Sequence, residues 1–133
     1  MRYLADSNVW IQFLKRRNSA VAARLQEIPA ADVAVCSIVW AELLHGARKY
    51  ETPVDRVSRV ETALSPYVSL PFDNAAAMHY AEIRDSLERS GTIIGANDLL
   101  IASIARAHNL TVATGNVDEF SRVPGLQVED WTV

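Results

Sequence analysis

The chain lacks the features that mark secreted, membrane-spanning or disordered proteins. Cys36 is its single cysteine, so no internal disulfide can form, which is usual in a reducing compartment. The longest apolar stretch, Val33 to Leu44, is interrupted by Ser37 and Glu42 and is shorter than the roughly 20 residues that cross a bilayer. Met1 is followed by a strand-like segment and not by an apolar leader. We therefore expect a globular, cytoplasmic protein.

Several common catalytic motifs are also missing. There is no glycine-rich phosphate loop and no nucleophile elbow around a serine. His45, His79 and His108 fall on three separate helix-like segments without the paired spacing that zinc enzymes use, so surface or half-buried positions are expected for them. These absences argue against a P-loop enzyme, a serine hydrolase and a zinc enzyme.

An excess of positive charge is absent as well. The sequence has 13 basic and 16 acidic residues and a net charge of −3, so the whole molecule does not attract nucleic acid. Any contact with RNA must therefore be local. Eleven of the basic residues are arginines, which can bind a phosphate with two parallel hydrogen bonds, and small clusters occur at Lys15-Arg16-Arg17 and Arg48-Lys49. These clusters permit an RNA partner, although each is equally explained as a solvated helix end.

Short strand-like runs alternate with longer helix-like segments. The strand-like runs are Arg2–Ala5, Val33–Cys36, Tyr67–Leu70, Thr111–Ala113 and Leu126–Val128. The helix-like segments are Val9–Lys15, Ala20–Glu27, Ile38–Tyr50, Asp55–Leu64, Asn74–Ser90 and Asp98–His108. Parallel strands need helical crossovers, so the alternation predicts an α/β fold with a mainly parallel sheet covered on both faces. The length of 133 residues fits one domain over residues 1–133.

Three acidic residues stand where a charged side chain is unusual. Asp6 ends the first strand-like run, Glu42 lies inside an apolar helix, and Asp98 opens another apolar helix. In an open parallel sheet all three map to the carboxyl edge, where such folds bind ligands. No Lys or Arg stands directly beside them, so a divalent cation is the natural counter-charge, and oxygen ligands favour Mg²⁺ or Mn²⁺.

Two of the three acids also have an ordinary structural explanation. Asp6 and Asp98 could cap helices, because carboxylates are favoured at helix N-termini. Glu42 is harder to explain, because its helix neighbours are apolar and an ordinary Glu faces water. Just past the fourth strand, Thr114 and Asn116 would deliver a hydroxyl and an amide to the same edge. Trp10 and Trp40 are most simply core residues, since both lie in apolar helices, although an exposed tryptophan could stack on a base.

Three segments of the chain resemble a known family. They are Tyr3-Leu4-Ala5-Asp6-Ser7-Asn8-Val9-Trp10-Ile11, Ala41-Glu42-Leu43-Leu44-His45-Gly46-Ala47 and Ile94-Gly95-Ala96-Asn97-Asp98-Leu99-Leu100-Ile101-Ala102. They are similar to the successive motifs of PIN-domain ribonucleases, and more narrowly of the VapC toxins of type II toxin–antitoxin systems. The resemblance implies a three-layer α/β/α sandwich and Mg²⁺-dependent endonucleolytic cleavage of RNA, with tRNA as a target in several members. It further implies a homodimer that assembles with a VapB-type antitoxin into a hetero-oligomer.

The resemblance also assigns roles to individual residues. Asp6, Glu42 and Asp98 match the acidic metal site. Asn116 stands where many PIN nucleases have a fourth acid, and Asp118 or Glu119 could replace it.

Three further residues would support this site. By its position Ser7 would bond a water ligand or orient Asp6, and Asn97 and Thr114 would support the site from beside it.

The missing acid at Asn116 leaves open a second possibility, that the domain is a catalytically weakened module that binds RNA or an antitoxin.

Two other enzyme classes also place an aspartate after the first strand. Phosphatases of the haloacid dehalogenase type use Asp-x-Asp, but here the third position is Asn8. Receiver domains require a lysine after the fourth strand, and none follows it here. Both classes are therefore disfavoured.

Overall fold

A computed structural model describes residues 1–133 and shows five strands and seven α-helices. The strands are β1 (Tyr3–Ala5), β2 (Val33–Cys36), β3 (Val68–Leu70), β4 (Thr111–Thr114) and β5 (Val128–Asp130). The helices are α1 (Ser7–Lys15), α2 (Ala20–Glu27), α3 (Ser37–Ala47), α4 (Pro53–Leu64), α5 (Asn74–Ser90), α6 (Ala96–Ala107) and α7 (Val117–Phe120), with one 3₁₀ turn at Ala30–Asp32.

The five strands form one sheet in the order β3-β2-β1-β4-β5. Every neighbouring pair is parallel, so the predicted mainly parallel sheet is parallel throughout. Strand β1 lies at the centre, where Leu4 is in register with Ala34 of β2 and Val112 of β4. All four residues of β2 are buried, and because successive strand residues face opposite sides, both faces of the sheet must be covered by helices. The α/β/α sandwich is confirmed.

One cluster of 31 buried residues forms the core around the sheet. Trp10 is fully buried, stacks edge-on against Phe13 and Tyr67, and donates its indole N–H to the carbonyl of Ala5 at 3.2 Å. Trp40 is half-buried and packs against the same cluster. Both tryptophans therefore contribute to the core, as predicted. None of the helices has the length and the apolar character that a membrane span requires.

The structure differs from the sequence prediction mainly at element ends. Helix α3 stops at Ala47, three residues before the predicted end at Tyr50, and the last strand runs from Val128 to Asp130 instead of Leu126 to Val128. The later start of β5 places Trp131, just after the strand, in the core with no exposed surface. Helix α7 was not predicted, because four residues are too few to show a helical period.

Candidate active site

Asp6 lies at the centre of the sheet's carboxyl edge. It follows β1 directly and caps α1, with Oδ1 accepting the amide of Val9 at 3.2 Å. Its other oxygen, Oδ2, accepts the hydroxyl of Thr114, which ends β4. The side chain is 3% exposed, and this burial raises the pKa of Asp6 to about 6 in spite of both hydrogen bonds. Asp6 is therefore a helix cap and a buried carboxylate at once.

Glu42 approaches the same edge from helix α3. The hydroxyl of Ser7 donates to its Oε1 at 2.6 Å, and the Glu42 carboxylate adds to the rise of the pKa of Asp6. Two details differ from the sequence prediction. Glu42 is half-buried in the wall of an open groove and is not enclosed, because α1, α3 and α4 leave a gap there. Ser7 orients Glu42 and not Asp6, since its hydroxyl donates to Glu42 while Asp6 accepts from Val9 and Thr114.

Asp98 stands in the first turn of α6. The side-chain amide of Asn116 donates to Asp98 Oδ2 at 2.9 Å and also to Glu119. Desolvation, followed by the charge of Glu119, raises the pKa of Asp98 to about 6, with smaller contributions from Asp6 and Glu42. The mutual influence of these four carboxylates shows that they share one electrostatic environment.

The loop after β4 connects the two halves of the site. The backbone N–H of Asn116 donates to the hydroxyl of Thr114 at 2.8 Å, and that hydroxyl donates to Asp6. Since the Asn116 amide also reaches Asp98, one hydrogen-bonded chain runs from Asp6 to Asp98 through Thr114, at the end of β4, and Asn116, two residues further on. Thr114 is fully buried, so this chain is fixed by the core.

Glu119, and not Asp118, joins the site. Its Oε1 accepts the amide of Gly95 at 2.8 Å, and the bond from Asn116 lowers the pKa of Glu119. The side chain of Asp118 is 91% exposed and pairs with Arg122 at 3.3 Å. Sequence reasoning left the choice open, because α7 is too short for its facing residues to be read from a pattern. One available signal was the spacing of three from Asn116, which places Glu119 on the same side of a helical turn.

The remaining predicted residues lie outside this network. Asn97 is exposed and makes no side-chain hydrogen bond, so no contact shows a supporting role for it. His45 and His108 are exposed and His79 is half-buried, where its Nδ1 accepts a bond from Arg106 at 2.8 Å. The histidines thus have the surface and half-buried positions expected for them.

The donor set of the site suits a hard cation. None of Asp6, Glu42, Asp98 or Glu119 forms an ion pair with Lys or Arg, although two of them are desolvated enough to raise their pKa. No three acidic, histidine or cysteine side chains converge closely enough to form a ready-made ligand shell. Mg²⁺ commonly keeps several of its waters, so spaced carboxylates can still hold it. The residues present therefore fit Mg²⁺ bound partly through water.

A parallel five-stranded sheet with acidic residues along its carboxyl edge is the arrangement of a PIN domain, and the family model of the PIN domain matches residues 3–126. Similar curated proteins narrow this class. Ribonuclease VapC2 of Rickettsia felis is 36% identical to this chain over 132 residues, and the match covers 98% of each of the two chains. The chain belongs to the VapC ribonucleases of the PIN-domain family.

Other relatives agree with this assignment. The tRNA(fMet)-specific endonuclease VapC of Salmonella typhimurium is 34% identical over 131 residues, again with 98% of both chains covered. Among solved structures, VapBC2 from Rickettsia felis bound to a promoter DNA fragment matches with a TM-score of 0.91 at 34% identity, covering 98% of this chain and 99% of that one. DNA-bound VapBC from Salmonella typhimurium matches with a TM-score of 0.92 at 34% identity, covering 98% of both.

Proposed function

We propose that this protein is the toxin of a type II toxin–antitoxin system and acts as a Mg²⁺-dependent endoribonuclease. The observation that carries the proposal is the group of carboxylates at one sheet edge, Asp6, Glu42, Asp98 and Glu119, which has no basic partner. The names of the relatives support RNA as the substrate, since they are ribonucleases or tRNA(fMet)-specific endonucleases. A tRNA is therefore the first substrate to test.

Asp6 and Asp98 would hold the ion, with Glu42 binding it directly or through water, and Mn²⁺ could replace Mg²⁺. When bound, the ion would acidify a water molecule and neutralise charge on the phosphate oxygens. The raised pKa values of Asp6 and Asp98, both about 6, express the cost of keeping these carboxylates ionised without a counter-charge.

The chain's other residues fix the orientation of these carboxylates. The Thr114 hydroxyl holds Asp6 Oδ2, so that Asp6 cannot rotate away from the sheet edge. The Asn116 amide donates to both Asp98 and Glu119 and so lies between the two carboxylates without adding a negative charge. Ser7 holds Glu42 Oε1 and leaves its second oxygen without a side-chain partner in the chain. We therefore propose that Asn116 contributes to catalysis by positioning the carboxylates of Asp98 and Glu119.

The solved structures that this chain resembles are complexes of VapC with VapB. On that basis we propose a VapB-type antitoxin as the protein partner and a homodimer of this chain within a larger hetero-oligomer. We further propose that the protein acts in the cytoplasm. Sedimentation of the purified chain alone and with its antitoxin would measure both assembly states.

An RNA cleavage assay tests the proposed activity. Purified protein should cleave RNA with Mg²⁺ and lose cleavage in EDTA, and Asp98→Asn should reduce the rate by about 100-fold or more while folding normally. Asp118→Asn is the matched control, because Asp118 lies outside the site, and it should retain the wild-type rate. Sequencing the new 5′ ends after brief expression in cells would identify the RNA that is cut.

The same assay distinguishes the nuclease from the alternative, a catalytically weakened module that binds RNA or an antitoxin. The specific observation behind that alternative is Asn116, whose amide donates to Asp98 where the resemblance to PIN nucleases leads us to expect a fourth acid. If well-folded wild-type protein cleaves no RNA with Mg²⁺ or Mn²⁺, the nuclease proposal is wrong. If Asp98→Asn cleaves as fast as the wild type, the role assigned to Asp98 is wrong.

A further inference from the structure

The basic residues of the chain divide into two groups by whether they form ion pairs. Six arginines pair with acids, and they are Arg2, Arg24, Arg84, Arg89, Arg106 and Arg122. The other seven basic residues form no ion pair, and they are Lys15, Arg16, Arg17, Arg48, Lys49, Arg56 and Arg59. They lie at the end of α1, in the segments directly after α1 and α3, and in α4. Their charges are therefore available to a partner.

A groove of about 440 Å³ lies between α1, α3 and α4, next to these residues. Lys15, Arg56 and Arg59 line it directly, and the other four follow lining residues by one or two positions in the chain. Apolar side chains, among them Leu14 and Leu43, form most of the rest of the lining. The groove thus combines cationic and apolar side chains.

Glu42 belongs to both the groove and the active site. It lines the groove, and it is tied by Ser7 to the carboxylates around Asp6. A chain lying in the groove would therefore reach the reacting carboxylates at one end.

The sequence itself divides in charge in the same way. Residues 1–60 contain nine basic and six acidic residues, whereas residues 61–133 contain four basic and ten acidic residues. A net charge of −3 therefore conceals a basic half that contains the whole groove. Such a local surface can attract a polyanion even when the molecule as a whole repels it.

We propose that this groove holds the sugar-phosphate backbone of the RNA substrate beside the active site. The inference rests on the proposed function, since it names where that substrate lies. Unpaired Lys and Arg residues bind phosphates without reading sequence, which positions the strand and leaves the choice of cleavage site to other contacts.

Tyr50 supplies a second feature of a nucleic-acid surface. The residue is 46% exposed and lines the groove, and the guanidinium of Arg56 lies 4.1 Å from its ring centroid. Aromatic rings combined with cations form the stacking platforms that bind single-stranded nucleic acid. We therefore assign Tyr50 as a stacking position for a base next to the bound phosphates.

Binding must be measured apart from cleavage to test this inference. Asp98→Asn protein in EDTA would be titrated with a fluorescein-labelled RNA hairpin, and anisotropy would give the Kd at several salt concentrations. Two double variants are made in this background. The first combines Lys15→Gln and Arg56→Gln, and the second combines Arg48→Gln and Lys49→Gln. The matched control is Arg84→Gln with Arg89→Gln, which removes two cations that are already paired on α5.

Each groove double variant should weaken RNA binding by about tenfold or more, because a hydrogen bond to a charged group contributes that much. The slope of log Kd against log salt should also fall by about 0.7 for each phosphate that the variant no longer neutralises. Tyr50→Ala should weaken binding by about tenfold with no change of slope, because stacking releases no counterions. The control should stay within about twofold of its parent.

The outcomes separate the inference from the proposed function. If both groove variants and the α5 control bind RNA equally, with equal salt slopes, the inference is wrong even if the wild type cleaves RNA. If the groove variants lose binding only to a co-purified antitoxin, the groove is a protein-binding surface and the inference is again wrong. If the wild type cleaves no RNA but its RNA binding depends on the groove, the inference stands and the nuclease proposal fails.

Discussion

At the scale of single residues, Asp6 combines two tasks that oppose each other. As the cap of α1 it stabilises the helix, but burial raises its pKa to about 6, so its ionised form costs folding energy at neutral pH. Asn can accept the same bond from Val9 without carrying a charge. Asp6 therefore places a negative charge at this position at the expense of folding stability, a trade-off that is common at functional sites.

This conflict predicts an unusual pH dependence for the metal-free protein. Because the folded pKa of Asp6 lies above its ordinary 3.8, the folded state binds the proton more tightly, and stability should fall as pH rises through about 6. Asp6→Asn should match the wild type near pH 4 and be more stable by about 2 kcal/mol at pH 8. Urea unfolding in EDTA at both pH values measures this difference, and a variant less stable than the wild type at pH 8 would contradict it.

Glu119 and Asp118 form a second test at this scale. Glu119 accepts bonds from Asn116 and Gly95 and raises the pKa of Asp98, whereas Asp118 faces solvent. Glu119→Gln should lower the RNA cleavage rate by about 10-fold or more, as loss of an outer-shell partner does in metal sites. Asp118→Asn should leave the rate unchanged. Equal rates for the two variants would place Glu119 outside the working site.

The residues of the site could be predicted to different degrees. Asp6, Glu42 and Asp98 stood out because a carboxylate in an apolar segment is improbable without a reason. Ser7 and Thr114 could be placed near the site from their positions after the first strand and at the end of the fourth, but the hydrogen bonds that they make could not be predicted. That Ser7 bonds Glu42 depends on how α1 and α3 pack, and no local pattern in the sequence contains that information.

At the scale of elements, the interiors of helices were predictable and their ends were less so. The limits of α5 at Asn74 and Ser90 agree with the prediction, because Asp73 caps one end and Gly91 adopts a left-handed conformation with φ +67° at the other. Helix α3 ends at Ala47 with a glycine one residue before its end and no glycine or proline directly after it, so its C-terminal limit was misplaced by three residues.

Two glycines should respond in opposite ways to the same substitution. Gly91→Ala places a side chain in the left-handed region and should cost about 1 kcal/mol of unfolding free energy. Gly46 lies inside α3 with no atom within 4 Å of an added Cβ, so Gly46→Ala should stabilise the protein by about 0.5 to 1 kcal/mol. Thermal unfolding of both variants tests the prediction, and a shift of the same sign in both would refute it.

At the scale of the whole molecule, the parallel sheet could be predicted but its strand order could not. Alternating strands and helices require crossovers and therefore parallel pairing, whereas the order β3-β2-β1-β4-β5 depends on contacts between distant segments. That order places β1 and β4 side by side, so Asp6 and Thr114 meet although they are 108 residues apart. The candidate site is thus a product of topology more than of any single motif.

Binding of a divalent ion at this site should stabilise the entire fold. Ligands that bind only the folded state add about 2.7 kcal/mol when present at 100 times their Kd. Mg²⁺ should therefore raise the unfolding temperature of the wild type, and have little effect on Asp98→Asn. Differential scanning fluorimetry with a Mg²⁺ titration provides the measurement, and equal shifts in both proteins would mean that the ion binds elsewhere.

The most direct test of the account is the position of a bound ion. Crystals grown with Mn²⁺ would be measured by anomalous scattering, which locates the metal independently of the protein. We predict a peak that contacts the carboxylates of Asp6 and Asp98 and that is absent from crystals of Asp98→Asn. No peak at these carboxylates at saturating Mn²⁺, or an unchanged peak in the variant, would contradict the proposed metal centre.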